Sequence, residues 1–97
     1  MPILLANENE YLARRVDFVK AAKRTWLMVE LRDGRAVAVP LSLFPTLQRA
    51  SSAQRGRWRL IGNGDGFQWP ALDLDLSVRG IVQGRGESLP RRRAKSA

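Results

Sequence analysis

Cysteine and histidine are both absent from this chain of 97 residues. Without cysteine there can be no disulfide and no thiolate metal site, and the composition suits a reducing compartment. Without histidine, the usual general base and the commonest transition-metal ligand are missing. A zinc centre or a Ser–His–Asp relay built within the chain is therefore set aside. Long apolar runs are lacking too. The early run Ile3-Leu4-Leu5-Ala6 has no basic start and meets Glu8 and Glu10 at once, which is too short for a secretory leader. No stretch approaches the roughly 20 apolar residues that span a bilayer. The expectations are a cytoplasmic protein that is not an enzyme, holds no cofactor or metal and has no membrane partner.

What is present points to a folded, basic protein. The length fits one domain, and 44% apolar with 27% charged residues is ordinary for a globular chain. The net charge is +8, which raises the question of polyanion binding. From Arg85 onward the basic residues Arg85, Arg91, Arg92, Arg93 and Lys95 face only Glu87, so half of the excess sits at that end. The expected organisation is an irregular lead-in over 1–15, a compact domain over 16–84 and a flexible basic tail over 85–97. Within the lead-in, Ile3 to Leu5 is a candidate edge strand.

Periodicity gives the elements. From Val16, alternation puts Val16, Phe18 and Lys20 on one face and Asp17 and Val19 on the other, as in a strand. Trp26 to Leu31 is a stronger strand, and Asp33-Gly34 signals a hairpin to Arg35–Pro40. A two-residue loop would set Arg32 against Arg35. A three-residue loop with Gly34 in the left-handed position instead opposes Leu27 to Val39 and Val29 to Val37, which gathers the apolar residues on one face. That second register is preferred. Ser42 can cap a helix starting at Leu43, with Pro45 in its first turn and Leu43, Leu47 and Ala50 as its stripe. Ser51 and Gln54 have capping-box spacing for a short second helix that ends near Trp58. Leu60-Ile61 and Phe67–Trp69 read as strands around a Gly62–Gly66 turn. Leu72, Leu74 and Leu76 alternate with Asp73 and Asp75, and Ser77 caps a last turn through Val78, Ile81 and Val82. The fold class is therefore α+β: an antiparallel sheet with two or three short helices packed on one side. Leu27, Val29, Val37, Val39, Leu47, Trp58, Trp69 and Leu72 are the expected core.

Several groupings could carry chemistry. Gly62-Asn63-Gly64-Asp65-Gly66 has a glycine-rich look, but a strand follows it and Asp65 would repel phosphate, so it reads as a tight turn. Asp73 and Asp75 would share a strand face and could bind a hard cation or do acid–base work; the structural or partner-facing reading is preferred. Arg55, Arg57 and Arg59 surround Trp58, with Arg49 upstream and Arg32 and Arg35 at the hairpin tip. Interleaved arginine and aromatic groups can hold phosphates and stack bases, although a buried Trp58 with solvated arginines is the plainer reading. Arg91, Arg92 and Arg93 could hold a polyanion through charge or serve solubility alone. Trp26, Trp58 and Trp69 sit among apolar residues and are expected to pack in the core.

The order Asp33-Gly34-Arg35, Val39-Pro40-Leu41-Ser42, Phe44-Pro45, Leu47, Ala50, Arg55, Trp58 and Gly62 continues through Gly64, Gly66, Trp69-Pro70, Leu72-Asp73, Asp75, Ser77-Val78 and Gly80. This set resembles the bacterial family called domain of unknown function 2442, over about residues 16 to 84. The resemblance implies a small α+β domain without established activity. It also implies a second small protein encoded beside it, in a pair of the toxin–antitoxin kind. This chain departs from the family's usual pattern at Leu43, Thr46 and Leu74. The function expected is a protein-binding module, the antitoxin-like or regulatory half of such a pair, with another small protein as partner. The alternative is a nucleic-acid-binding domain that uses the arginine patch and the tail.

Overall fold

The computed structural model describes residues 11–87. The candidate strand at Ile3 to Leu5 and the arginines 91–93 lie outside that range. Two three-stranded antiparallel sheets form where the sequence suggests one. The first comprises β1 (Ala13–Ala21), β2 (Arg24–Leu31) and β3 (Ala36–Pro40), in that order. The second comprises β4 (Arg59–Ile61), β5 (Gly66–Trp69) and β6 (Leu74–Ser77). Three short helices complete the fold: α1 (Pro45–Arg49), α2 (Ser52–Arg55) and α3 (Val78–Val82). The α+β class holds, and the helical segment between β3 and β4 separates the two sheets.

The β2–β3 hairpin has the register expected from the apolar pattern, with Leu27 opposite Val39 and Val29 opposite Val37. Gly34 takes φ +96°, and its N–H donates to the Leu31 carbonyl at 3.0 Å. A residue with a Cβ rarely adopts that conformation. The β1–β2 hairpin turns through Ala22 and Lys23, both left-handed at φ 52° and 64°. β1 begins at Ala13, earlier than the alternation suggests, because a bulge between Ala13 and Arg15 breaks the two-residue period. The bulge lets Ala13 and Val16 both face the core, at 1% and 2% exposure.

Pro45 decides the next segment. The residue before a proline is driven out of helical geometry, and Phe44 sits at φ −126°, ψ 81°. One expected helix therefore becomes a 3-10 turn over Leu41–Leu43 and α1, and Ser42 caps neither. Phe44 is fully buried at that break. Ser51 and Gln54 form the reciprocal capping box, but α2 stops at Gly56 rather than near Trp58. Ser77 caps α3 through the Gly80 N–H at 2.9 Å.

Leu27, Val29, Val39, Leu47 and Trp69 are buried as expected, whereas Val37, Trp58 and Leu72 are half-buried and only pack against the core. The core also takes Leu31, Leu41, Phe44, Phe67, Val78 and Ile81. The Ala13 N–H bonds the Gly64 carbonyl at 2.9 Å and joins the two sheets. Packing continues past Gly84. The Glu87 N–H donates to the Leu43 carbonyl at 2.9 Å, and its carboxylate accepts from the Thr46 N–H at 2.9 Å and from the Thr46 hydroxyl. This carboxylate caps the otherwise open first turn of α1.

Candidate functional site

The residues singled out from sequence do not converge on one patch. Arg32 and Arg35 lie at the β2–β3 tip, at the far end of β2 from Arg24, about 26 Å away at 3.3 Å per strand residue. Arg35 is engaged by Asp33, with Nε to Oδ2 at 2.8 Å. The Arg35 backbone N–H, first, and its guanidinium hold the Asp33 carboxyl below the usual aspartate range. Arg55 turns toward the protein: Nε donates to the Leu47 carbonyl at 2.9 Å and Nη2 to the Gln48 carbonyl at 3.1 Å. These bonds satisfy carbonyls at the end of α1. Its own carbonyl accepts from the Trp69 indole at 2.9 Å. Arg49 and Arg57 are exposed. Arg59 donates to the Gln68 side chain at 2.8 Å.

The two aspartates are also parted. Pro70–Leu72 forms a 3-10 turn, and Asp73 follows in the left-handed region at φ 53°. β6 starts only at Leu74, so the expected shared strand face for Asp73 and Asp75 does not exist. Pro70 sets this turn by stopping the ladder. Asp75 instead stands opposite Gln68, which stands opposite Arg59, in a polar row across the second sheet. Among the described residues no three metal-type ligands cluster.

The more continuous surface is the outer face of the first sheet. Register places Val19, Trp26 and Pro40 in one row, and Asp17, Met28 and Ala38 in the next. Val19, Trp26, Met28 and Pro40 are half-buried, and Ala36 and Ala38 are exposed. Trp26 therefore lies outside the core, against expectation, with its indole N–H on the Ala21 carbonyl at 2.9 Å. β3 is an edge strand, with no pairing on its far side among the described residues. Pairs in an antiparallel ladder alternate between bonded and non-bonded. With Leu31 bonded to Arg35, the N–H and C=O groups of Ala36 and Ala38 point away from β2. The edge carries no charge between Arg35 and Pro40. β4 also has exposed apolar residues, Leu60 and Ile61 at 38% each, but it is only three residues long.

Sequence reasoning missed the basic turn Lys20, Lys23 and Arg24, because Ala22-Lys23 is not a turn-forming pair. Two strand patterns separated by so short a gap were the available signal.

Comparison with known proteins agrees with this architecture. The chain is similar to a crystal structure of a protein of unknown function from Rhodospirillum rubrum ATCC 11170, with a TM-score of 0.65 and 28% identity over 89% of this chain and 96% of that chain. No curated protein matches it. Residues 16–87, which run from the first long strand through the Glu87 cap, match the family described as Protein of unknown function (DUF2442), and the chain belongs to that family.

Proposed function

We propose that this chain is a non-catalytic protein-binding module that takes a strand from a second small protein along the free edge of β3. The observation that carries the reading is the set of outward-facing backbone groups at Ala36 and Ala38, on an uncharged edge strand. Such an edge is a template for strand addition. The apolar row of Trp26, Met28 and Pro40 beside it would receive alternate side chains of the added strand. Arg24, whose guanidinium lies 5.6 Å from the Trp26 ring centre, favours a partner whose apolar strand has an acidic flank. No described helix is long and apolar enough to cross a membrane, and the proposed setting is the cytoplasm. The antitoxin-like role follows from the family's paired genes rather than from the geometry.

The test is co-expression with the product of the adjoining gene, followed by native purification. Ala38→Pro removes one outward N–H without touching the β2–β3 ladder, and proline is tolerated on an edge strand. A stable complex that this variant weakens at least about tenfold, which is about 1.4 kcal/mol, supports the reading. A complex indifferent to Ala38→Pro, with the variant folded, counts against it. The antitoxin role further requires that the neighbouring protein alone slow growth and that this chain relieve it.

A further inference from the structure

A groove at the opposite end of β2 from the Asp33 turn has a different character. Lys20, Lys23, Arg24 and Thr25 line a hollow at the β1–β2 turn, and Arg55, at the end of α2, shares one cavity with Lys20 and another with Arg24. One cavity of about 320 Å³ is lined by Phe18, Lys20, Thr25, Ser52, Arg55 and Trp58, among others. A neighbouring one of about 370 Å³ is lined by Arg24 and Ser42 and, like the first, by Thr25 and Arg55; the Arg24 guanidinium lies at its border, 5.6 Å from the Trp26 ring centre. The aromatic rings are held in place: Trp58 packs edge-on against Phe67 at 5.3 Å, and the Arg55 guanidinium lies 5.8 Å from the Phe18 ring centre. The carbonyls of Leu47 and Gln48 fix Arg55 and leave its other N–H groups for a ligand. Among the described residues the ion pairs are Arg14–Glu30, Arg15–Asp17 and Arg35–Asp33. None involves Lys20, Lys23, Arg24 or Arg55. Asp17, the acid on the groove wall, is held by Arg15 at 3.0 Å.

We infer that this groove binds single-stranded nucleic acid, with phosphates on Lys20, Lys23 and Arg24 and a base against Phe18 and Trp58. Cations that follow the backbone and aromatic rings that take base faces are the two parts such a site needs. Thr25 and Ser52 supply hydroxyls for base edges or sugars. A peptide of acidic residues alone, such as polyglutamate, would use the cations but has no group for the rings. A duplex keeps its bases stacked inside and cannot present one to the groove. The inference does not depend on strand addition at β3: apart from Arg24, which borders both surfaces, it rests on other side chains, and Ala38→Pro should leave oligonucleotide binding unchanged.

The experiment is fluorescence anisotropy of the full chain with short labelled oligouridylate and oligodeoxyuridylate, from about 50 to about 200 mM salt. Duplex DNA and polyglutamate serve as competitors. The comparison is with the triple variant Lys20→Gln, Lys23→Gln, Arg24→Gln, in which the 85–97 segment is unchanged. Affinity should fall at least about tenfold, and the log–log salt slope should drop by about 2, since each single-strand phosphate contact contributes about 0.7. Phe18→Leu should weaken binding without changing the slope. A preference for oligouridylate would show that the 2′-hydroxyl is read, and equal binding that phosphate and base suffice. The inference is overturned if the triple variant, shown folded by circular dichroism, binds as the parent does. It is equally overturned if polyglutamate or duplex competes as well as the single strand. Should the triple variant not fold, Lys23→Gln at the exposed turn gives a smaller loss in the same direction, and no loss overturns the inference.

Discussion

Ala22 and Lys23 are consecutive non-glycine residues in the left-handed region, which among the described non-glycine residues only Asp73 also enters. Left-handed geometry costs an L-residue roughly 1–2 kcal/mol, and the two-residue hairpin turn favours Asn-Gly for that reason. Ala22→Asn should therefore raise stability by about 0.5–1 kcal/mol, visible as a melting temperature several degrees higher. An unchanged or lower value would show that the turn is not strained as described. The same logic explains what the sequence could tell. Asp33-Gly34 announced its hairpin because glycine and aspartate are the residues such a loop needs, whereas Ala22-Lys23 gave no local sign and is imposed by the strands on either side. Asp33 also yields a pH expectation. Its pKa is lowered in the folded state, so its stabilisation is complete above the unfolded value of about 3.9 and is lost as pH falls through the lower folded value. An NMR titration should place the Asp33 midpoint below about 3.9, and a midpoint at or above that value would contradict the turn geometry.

Among the elements, those defined by local chemistry were legible and those defined by distant packing were not. The Ser51–Gln54 box and the Ser77 cap are readable because a side chain meets a backbone N–H three residues away. The division at Phe44 was readable in principle from Pro45, but the apolar stripe of Leu43, Leu47 and Ala50 suggested continuity. Asp73 was misplaced because Leu72, Leu74 and Leu76 mimic a strand although Pro70 turns the chain beneath them. The turn between β4 and β5 makes a firm prediction. At Gly64, φ is +108°, and a Cβ would overlap the Ala13 carbonyl. Gly64→Ala should cost about 2–3 kcal/mol, combining overpacking with a forbidden backbone. Gly34→Ala meets no atom within 4 Å and should cost less. Chemical denaturation of the two variants checks the order.

At the scale of the molecule, the sheet count was the chief thing the sequence hid. Both sheets share the same alternating pattern, and pairing between distant strands leaves no trace in it. The candidate site was hidden for a similar reason. Arg55, Arg57 and Arg59 look like one cluster along the chain, but the fold turns Arg55 onto α1 and carries Arg59 onto the second sheet. Meanwhile it lets Arg55 share one cavity with Lys20 and another with Arg24, from separate elements. The Glu87 clamp is a whole-molecule feature in the same sense. Glu87→Ala should cost about 1.5–3 kcal/mol, the range for hydrogen bonds to a charged group, and an unaltered melting temperature would show that the cap is not needed.

That clamp bears on how the chain is made. Synthesis runs from the N-terminus, and hairpins between sequence neighbours close quickly. The strands of the β1–β2 and β2–β3 hairpins all precede Leu41, so their pairing can begin while translation continues, before Phe44, Leu47 and Phe67 arrive to complete the core. The first turn of α1 must wait for Glu87, more than forty positions later. A ribosome that stalls before that codon would hold a paired first sheet whose adjoining helix still lacks its cap.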